Sequence, residues 1–358
     1  MEIEPFALER WFDEHEHGAD IMLAESGIRS LDAARFDTDP GGLGYVIPTD
    51  GDPDFRARVA ERYDRSANDL LFTCGTQEAN LLAVLATLDP SDHAVVVTPT
   101  YQSLHALPEA VADVTRVELE PPAWRLNVER VADAIEPNTT LVVLNNPNNP
   151  TGRYHSQERV EALYHLAADN DAYLLCDEVY RLLADNPLPP VASLGEWGIS
   201  TTSLTKAYGL AGLRFGWLCG PPEIAAAARR WKDYTTISPS IFGQHVARQA
   251  LGEQEGTILD ENRAHVRRNH GVVREFVDEH GLDWHDPVGV NGFPTVPEGF
   301  ADAREFCRTV VEAESVVLAP GEVFGFDDRF RIGFGLPADE LEEGLARVER
   351  VIEARTTG

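Results

Sequence analysis

The sequence predicts an α/β protein built around a mostly parallel β-sheet. Short apolar segments rich in β-branched residues alternate with longer segments of helical periodicity, the order typical of helices that connect parallel strands. Hydrophobic residues make up 43% of the 358 positions, which is enough for a sizeable buried core. Polar and glycine-containing motifs follow the strand-like segments, at the sheet edge where α/β proteins bind ligands.

Five segments have the character of buried strands, because they are brief, rich in β-branched residues and apolar on both faces. They are HAVVVTP (93–99), TTLVVLN (139–145), AYLLCDE (172–178), GISTTSLT (198–205) and FGWLCG (215–220). Helical patterns lie between them, among them TQEANLLAVLATL (76–88) and SQERVEALYHLAADN (156–170). Ser156 is the predicted N-cap of the second pattern.

The pattern changes near residue 255, and this change predicts two domains. A long charged helical pattern is followed by strand-like SVVLAP (315–320), strand-like RFRIGFG (329–335) and a last helix, ADELEEGLARVERVIEA. We predict a large domain at 42–264. Residues 1–41 and 265–358 would form a smaller one.

The chain is strongly acidic. Asp and Glu number 60 against 30 Lys and Arg, and the formal charge of −30 is spread over the whole length. Such a surface repels phosphate backbones and anionic lipids, which argues against nucleic-acid and membrane partners. Excess acid with lysine replaced by arginine is typical of an intracellular protein of a salt-loving organism. It predicts stability that rises with salt, because ions screen the self-repulsion.

Cysteine usage and the N-terminal sequence favour the cytoplasm. Cys74, Cys176, Cys219 and Cys307 are far apart and form no C-x-x-C pair, so we expect reduced thiols and no zinc site. The first twenty residues are acidic and lack an apolar core, so no signal peptide is predicted, and no stretch has the length of a membrane span. No bound metal is expected.

Three motifs that could carry chemistry follow predicted strands. In FTCGTQEAN, the backbone N–H groups of Gly75, Thr76 and Gln77 can bind an anion at a helix N-terminus. In NNPNNPTG, two prolines and a glycine fix a turn that presents Asn149. CDEVY ends a strand with two carboxylates, which must be solvated or face a buried cation. Each motif by itself is ambiguous.

Lysine is almost absent from the sequence, which draws attention to the two that remain, Lys206 and Lys232, against 28 arginines. In SLTKAYGLAGLRFGW, Lys206 follows the hydroxyls of Ser203 and Thr205 and precedes Arg214. Together with the anion site, these groups predict a phosphorylated aldehyde held as a Schiff base. A lysine amine, with an ordinary pKa of ~10.4, can lose its proton and attack a carbonyl, whereas arginine stays protonated. Lys232, in an arginine-rich helical pattern, is expected on the surface.

Four of these motifs, NNPNNPTG, DEVY, SLTKAYGLAGLRFGW and RFRIGFG, occur in an order that resembles the class I/II aminotransferases. Members of that family are pyridoxal 5′-phosphate enzymes of fold type I, and the resemblance covers nearly the whole chain. It implies a large domain with a mostly parallel sheet between helices and a smaller α+β domain. The implied reaction moves an amino group from an amino acid to a 2-oxo acid through a Schiff base on Lys206.

The resemblance implies catalytic roles for Lys206, Asp177 and Tyr180. Lys206 would carry the proton that moves at the substrate Cα, and Asp177 would pair with the pyridinium nitrogen of the cofactor. Tyr180 and Asn149 would hydrogen-bond the phenolate oxygen of the ring, and Tyr101 would stack on its face.

Binding of the cofactor phosphate and of the substrate is implied in the same way. The backbone at Gly75, Thr76 and Gln77 would hold the phosphate, and Ser203 and Arg214 would add a hydroxyl and a charge-assisted bond. Arg331 matches the arginine that binds the substrate α-carboxylate through two parallel hydrogen bonds. Asn149 and Gly27, the latter in AESGIRSL, would also line the substrate pocket.

A homodimer with a composite active site is implied by the resemblance. In the family, a tyrosine of the partner subunit reaches the phosphate, and Tyr45 is the matching residue, although it stands six residues before Gly51 where five are expected.

Two other functions compete with transamination. The first is β-elimination, β-replacement or cyclisation on the same fold, because WKDYTTISPS and APGEVFGFDDRFRIGFG resemble a branch that includes capreomycidine-synthase-like enzymes. The second is a ligand sensor without catalysis, which the acidic charge disfavours. The sequence assigns no substrate, because no second arginine can be matched to a side-chain carboxylate.

Overall fold

The computed structural model describes residues 2–356. Its strands are β1 (Leu70–Thr73), β2 (His93–Thr98), β3 (Asp113–Glu118), β4 (Thr139–Asn145), β5 (Tyr173–Asp177), β6 (Gly198–Ser203), β7 (Gly216–Cys219), β8 (Asn291–Gly292), β9 (Ala319–Pro320) and β10 (Phe330–Gly333). The first seven strands form one sheet and the last three another.

Helices connect the strands and cover the faces of the larger sheet. They are α1 (Ala7–His15), α2 (Pro53–Ala60), α3 (Gly75–Thr87), α4 (Ser103–Glu109), α5 (Val128–Ala134), α6 (Gln157–Ala168), α7 (Pro222–Lys232), α8 (Ile241–Ala250), α9 (Glu255–Glu279), α10 (Ala303–Glu314) and α11 (Ala338–Thr356). Of the helices in residues 2–356, none is both long enough and apolar enough to span a bilayer.

The larger sheet confirms the predicted α/β class. Its strand order is β1-β7-β6-β5-β4-β2-β3, and β7 alone runs antiparallel to both of its neighbours. Strands β2 to β6 pair in parallel. Their carboxyl ends therefore lie along one edge of the sheet, where the loops after β1, β2, β4, β5 and β6 meet.

The five predicted strands of the large sheet are confirmed within one or two residues. The strand implied before the turn at Gly75 is β1, for which no bounds were predicted, and β3 was missed. Strand β1 has only four residues, too few for a periodic signal. Strand β3 (DVTRVE) lies at the sheet edge and is largely solvent-facing, so its polar residues hide it from a search for apolar runs. Ser156 precedes α6 as predicted, but its side chain makes no capping hydrogen bond.

The smaller sheet joins the two ends of the chain. The Gly333 N–H of β10 donates to the Leu23 carbonyl at 2.6 Å, and the Val317 N–H donates to the Ile21 carbonyl at 2.9 Å. A Cβ atom at Gly333 would lie 1.9 Å from the Glu25 carbonyl oxygen, so only glycine permits this close approach. The N-terminal segment is thereby fixed beside β10. The predicted boundaries at 41/42 and 264/265 stay predictions, and the second falls within α9.

The expected surface position of Lys232 is wrong. Its side chain, at the end of α7, is only 1% exposed. The arginine-rich pattern that suggested a solvated helix extends over one face of α7 only, and the opposite face packs on α3. A helical period puts residues 225, 228 and 232 on that buried face.

Candidate active site

A cleft of about 210 Å³ lies at the carboxyl edge of the large sheet. It brings together side chains from α1, the N-terminal segment, five strand ends and β10. Ten of the predicted site residues line it: Thr76, Gln77, Tyr101, Asn149, Asp177, Tyr180, Ser203, Lys206, Arg214 and Arg331. Glu9, Glu25, Ser26 and Asn80, which the sequence did not single out, line it as well.

The floor of the cleft is the buried carboxylate of Asp177, at the last position of β5. Its Oδ2 accepts a hydrogen bond from Asn80 Nδ2 at 2.9 Å, and its Oδ1 accepts one from the Val179 N–H at 3.1 Å. Burial raises the pKa of Asp177 to about 6, against the opposing effects of these bonds and of Lys206. A cation facing this carboxylate would lower that pKa again and stabilise the charged form.

Asn80 is a positioning residue that sequence reasoning missed. Its Oδ1 accepts a 2.6 Å bond from the Thr201 hydroxyl, and its Nδ2 donates to Asp177, so the amide orientation is fixed from both sides. The available signal was its spacing, since Asn80 follows Thr76 by four residues on α3 and faces the same way.

The Lys206 amine enters the cleft from the loop after β6. Its Nζ donates to Ser26 Oγ at 3.0 Å and lies 3.5 Å from Glu25 Oε1. The charge of Lys206 is the main reason why the pKa of Glu25 lies below its ordinary value, with burial opposing it and Arg331 assisting. The Lys206 side chain is 19% exposed, so it is held within the protein yet open to the cleft.

Arg331 of β10 lies at one end of the cleft. Its side chain is fully buried, with only 1% of its surface exposed. Its Nη1 donates to Asn149 Oδ1 at 3.1 Å and its Nη2 to the Ala24 carbonyl at 2.6 Å, while Nε has no partner within residues 2–356. Burial lowers the pKa of Arg331. These hydrogen-bond acceptors are neutral oxygens, so the guanidinium has electrostatic capacity left for an anion.

The other end of the cleft is formed by the start of α3 and the loop before β7. Gly75 has φ +76°, and a Cβ there would lie 2.6 Å from Arg214 Nη2. The buried hydroxyl of Thr76 has no hydrogen-bond partner in the described part of the chain. Arg214 donates to the Ala211 carbonyl at 3.1 Å and, weakly, to Thr205 Oγ1 at 3.5 Å. A helix N-terminus, an unpartnered hydroxyl and a guanidinium are groups that can bind an anion.

Two tyrosines line the cleft between these ends. The Tyr180 hydroxyl donates to the Ser26 carbonyl at 3.2 Å, and the Tyr101 hydroxyl lies 3.5 Å from Glu9 Oε1 of α1. Burial raises the pKa of Tyr101, with Glu9 adding to the effect. The Tyr101 ring also packs on Phe6 with centroids 5.1 Å apart.

Three predicted residues are not among those that line the cleft of this chain. Gly75 immediately precedes the cleft-lining Thr76. Gly27 lies one residue beyond the cleft-lining Ser26, and its carbonyl faces the space where a Cβ at Gly335 would stand. Tyr45 is 75% exposed on a surface loop.

Comparison with known proteins identifies the family. Residues 28–348 match the family described as aminotransferase class I and II. The chain belongs to this family. Capreomycidine synthase of Streptomyces vinaceus is 32% identical over 98% of this chain and 94% of its own length.

Solved aminotransferase-fold structures superpose over nearly the full chain. A PLP-dependent aminotransferase from Streptococcus suis 89-1591 has a TM-score of 0.93 at 28% identity, over 99% of both chains. The PLP-dependent cyclase OrfR has a TM-score of 0.90 at 28% identity, over 99% of this chain and 98% of its own. The fold is accordingly fold type I.

Pyridoxal 5′-phosphate is the cofactor of this aminotransferase family, and the cleft has groups that fit it. The buried carboxylate of Asp177 needs a cation, which a protonated ring nitrogen provides. The unpartnered hydroxyl of Thr76 and the guanidinium of Arg214 suit a phosphate. Lys206 supplies an amine in the same cleft.

Proposed function

We propose that this protein is a pyridoxal 5′-phosphate-dependent aminotransferase in which Lys206 is the catalytic amine. The observation that carries the proposal is the position of Lys206 in one cleft with Asp177 and Arg331, two buried ionisable side chains whose hydrogen-bond partners are neutral groups. When bound, the cofactor supplies an electron sink for the negative charge that develops at the substrate Cα.

Lys206 would bind the cofactor aldehyde and, as a free amine, would move the proton at the substrate Cα. Ser26 and Glu25 hold its Nζ in place at 3.0 and 3.5 Å. Asp177 keeps a proton on the ring nitrogen, and Asn80 keeps Asp177 oriented. The pairing of Asp177 with the ring nitrogen needs the charged form of the Asp177 carboxylate, and the protonated nitrogen would stabilise that form.

Arg331 binds the substrate α-carboxylate, and Asn149 orients Arg331. The Asn149 Oδ1 and Ala24 carbonyl already hold the two Nη atoms, so the guanidinium plane is fixed before substrate arrives. Such preorganisation reduces the entropy lost on binding. Tyr180, Asn149 and Tyr101 line the same cleft. Tyr180 and Asn149 would hydrogen-bond the ring oxygen of the cofactor, and Tyr101 would stack on the ring face.

The groups that would hold the cofactor phosphate come from the start of α3, from β6 and from the loop before β7. The N–H groups at Gly75, Thr76 and Gln77 give it a helix N-terminus, and Ser203 and Arg214 add a hydroxyl and a guanidinium.

The lining of the substrate end disfavours a second substrate carboxylate. Glu25 and Glu9 both face the cleft, and Arg331 and Arg214 are the only arginines among its described lining residues. An acidic substrate side chain would meet like charges there. We therefore propose an amino acid with a neutral or cationic side chain, together with its matching 2-oxo acid.

The alternative is elimination or cyclisation at the β-carbon, as the names of capreomycidine synthase and of the cyclase OrfR suggest for those proteins. All such reactions use the same amine and the same electron sink. Residues that hold the cofactor therefore cannot distinguish them, and product analysis must do so.

The purified holoenzyme, freed of excess pyridoxal 5′-phosphate, is mixed in high salt with single amino acids, without any 2-oxo acid acceptor. We expect one equivalent of matching 2-oxo acid per active site, highest for neutral or cationic side chains. A second equivalent should appear only after an acceptor is added. Ammonia or a cyclised product released over many turnovers without an acceptor would contradict transamination and support the alternative.

We further propose a homodimer in the cytoplasm, with Tyr45 reaching the partner's phosphate. Apart from Ile3, the exposed large apolar side chains of the described residues lie in two segments: Leu43, Tyr45 and Ile47 in the first, and Trp231, Tyr234, Ile237 and Phe242 in the second. The two segments are joined, because the Asp52 N–H donates to Gln244 Oε1 at 2.9 Å and the Asp37 N–H donates to Gln249 Oε1 at 2.9 Å. One such patch on a chain with a charge of −30 suits a second copy at high salt, where repulsion is screened. Sedimentation at low and molar salt measures both properties, and a monomer at molar salt would contradict the dimer.

A further inference from the structure

The second lysine of the chain is buried in a cluster that the proposed chemistry does not use. Lys232 Nζ lies 3.4 Å from Glu78 Oε2 and donates to Thr236 Oγ1. Glu78 also accepts from the hydroxyl of Thr235 at 2.5 Å and from that of Thr236 at 2.8 Å. Both charged side chains are nearly inaccessible, 1% for Lys232 and 8% for Glu78.

This cluster is attached directly to the proposed phosphate site. Glu78 Oε2 accepts the Cys74 N–H at 2.6 Å, and Cys74 immediately precedes Gly75, the first residue of α3. Glu78 thus fixes the peptide that leads into the helix N-terminus, one turn back along the same helix. Its carboxylate position is set by four donors, of which two are hydroxyls on the loop after α7.

The negative charge of Glu78 would disfavour binding of an anion at the proposed phosphate site. Burial raises its pKa, but the Cys74 N–H, the two hydroxyls and Lys232 together bring the pKa below its ordinary value, so the group is an anion at neutral pH. An anion next to a phosphate site weakens phosphate binding, and burial strengthens the repulsion because water screens it less. The ammonium of Lys232 cancels this charge.

A lysine fits this task where arginine does not. The ammonium is compact and can donate to Glu78 and Thr236 at once, whereas the planar guanidinium is larger and has fixed donor directions. Burial lowers the pKa of Lys232, and Glu78 opposes that change. This explains why a chain with 28 arginines keeps a lysine at this position.

We propose that Lys232 is a positioning residue for the cofactor phosphate: with Glu78 it holds the start of α3 and neutralises the acid beside the phosphate. The proposal rests on the proposed function, since it takes pyridoxal 5′-phosphate as the ligand of the cleft. It makes Lys232 a determinant of affinity for the phosphate group and leaves the proton transfer to Lys206.

The test compares the affinities of apoenzyme variants for pyridoxal 5′-phosphate and for pyridoxal, which lacks the phosphate. Lys232→Met should weaken binding of pyridoxal 5′-phosphate about tenfold or more and change binding of pyridoxal by less than twofold. Glu78→Gln keeps an acceptor for the Cys74 N–H and should tighten binding of the phosphate form. The double variant should lie near the wild type. Arg230→Met removes a charge from the exposed face of the same helix and is the matched control.

The outcomes separate the two proposals. If wild-type protein binds pyridoxal 5′-phosphate but Lys232→Met binds it equally well, the role of Lys232 is overturned and the proposed function stands. Equal weakening for both ligands, without rescue by Glu78→Gln, would reveal a structural role only and also overturn it. If Lys232→Met does not fold, the comparison of Glu78→Gln with wild type decides, because unchanged or weaker phosphate affinity contradicts the proposal. A wild type that binds neither ligand overturns both proposals.

Discussion

The two ends of the cleft are built in different ways. The phosphate end comes from turns at three strands that are adjacent in the large sheet, with Gly75 after β1, Ser203 at the end of β6 and Arg214 before β7. The carboxylate end comes from distant parts of the chain: Arg331 donates to the Ala24 carbonyl across 307 positions and to Asn149 across 182. The residues of the phosphate end are positioned by the large sheet. The residues of the carboxylate end come together only when the N-terminal segment packs against β10.

This difference separates cofactor binding from substrate binding. The sheet is a rigid scaffold with a buried core on both faces, so the groups that this chain itself contributes to the phosphate end are positioned mainly by the sheet. The carboxylate end depends on contacts between the N-terminal segment and β10, including the 2.6 Å bond from the Gly333 N–H to the Leu23 carbonyl. We therefore expect substitutions at the two ends to affect different constants.

The largest effect is expected at Lys206, which lies between the two ends. Lys206→Ala should lower kcat at saturating cofactor by at least about 10³-fold, because the group that moves the proton is lost. Cofactor should still bind through its phosphate contacts. Steady-state kinetics and mass spectrometry after borohydride treatment measure both effects. Lys206→Arg keeps the positive charge and should be equally inactive. If it retained a tenth of the activity, or formed a reducible adduct at that position, the amine would not be the reacting group.

A smaller effect, confined to substrate, is expected at the carboxylate end. Arg331→Lys replaces a two-point contact with a single one and should lower kcat/KM by about 10- to 100-fold, the equivalent of a charge-assisted hydrogen bond. Affinity for pyridoxal 5′-phosphate should be unchanged, as measured by titration of the apoenzyme. A parallel fall in cofactor affinity would show that the two ends are not separate.

The smallest effect is expected at the phosphate end, because several groups contribute to binding of the phosphate. Arg214→Lys keeps a positive charge and should weaken binding of pyridoxal 5′-phosphate by about tenfold or less. At saturating cofactor, KM for the amino acid should stay within about twofold of wild type. A change in KM larger than the change in cofactor affinity would reverse the assignment of Arg214. The exposed Arg230, changed to Lys, serves as the control.

Much of the sheet and of the cleft could be predicted from sequence, because the relevant signals are local. Asp177 and Ser203 stand at the ends of strands β5 and β6, which are short apolar runs, and Lys206 follows three residues later. Parallel strands bring such ends together on one edge whatever the rest of the chain does. For the same reason Asn149, four residues after β4, could be assigned to that edge.

Contacts between distant segments could not be predicted in this way. Glu25 and Ser26 contact Lys206, from which they are separated by about 180 residues in sequence. No periodicity or spacing in the sequence predicts these contacts. Asn80 belongs to a helix that the sequence did predict, but its bond to Asp177 depends on how α3 packs on the sheet. The positions of strands β1 and β7 in the sheet likewise depend on how distant segments pack together.

The two lysines show the same division. Sequence by itself determined that Lys206 follows a buried strand, near hydroxyls and an arginine, and that an amine is needed where arginine cannot react. It determined the fold class as well, because the hydrophobic periodicity of strands and helices can be recognised within short stretches of sequence. Only the tertiary structure decided that Lys232 is buried against Glu78, because that depends on which face of α7 meets α3. Charge and burial at a point in space come from segments remote in sequence, and packing alone brings them together.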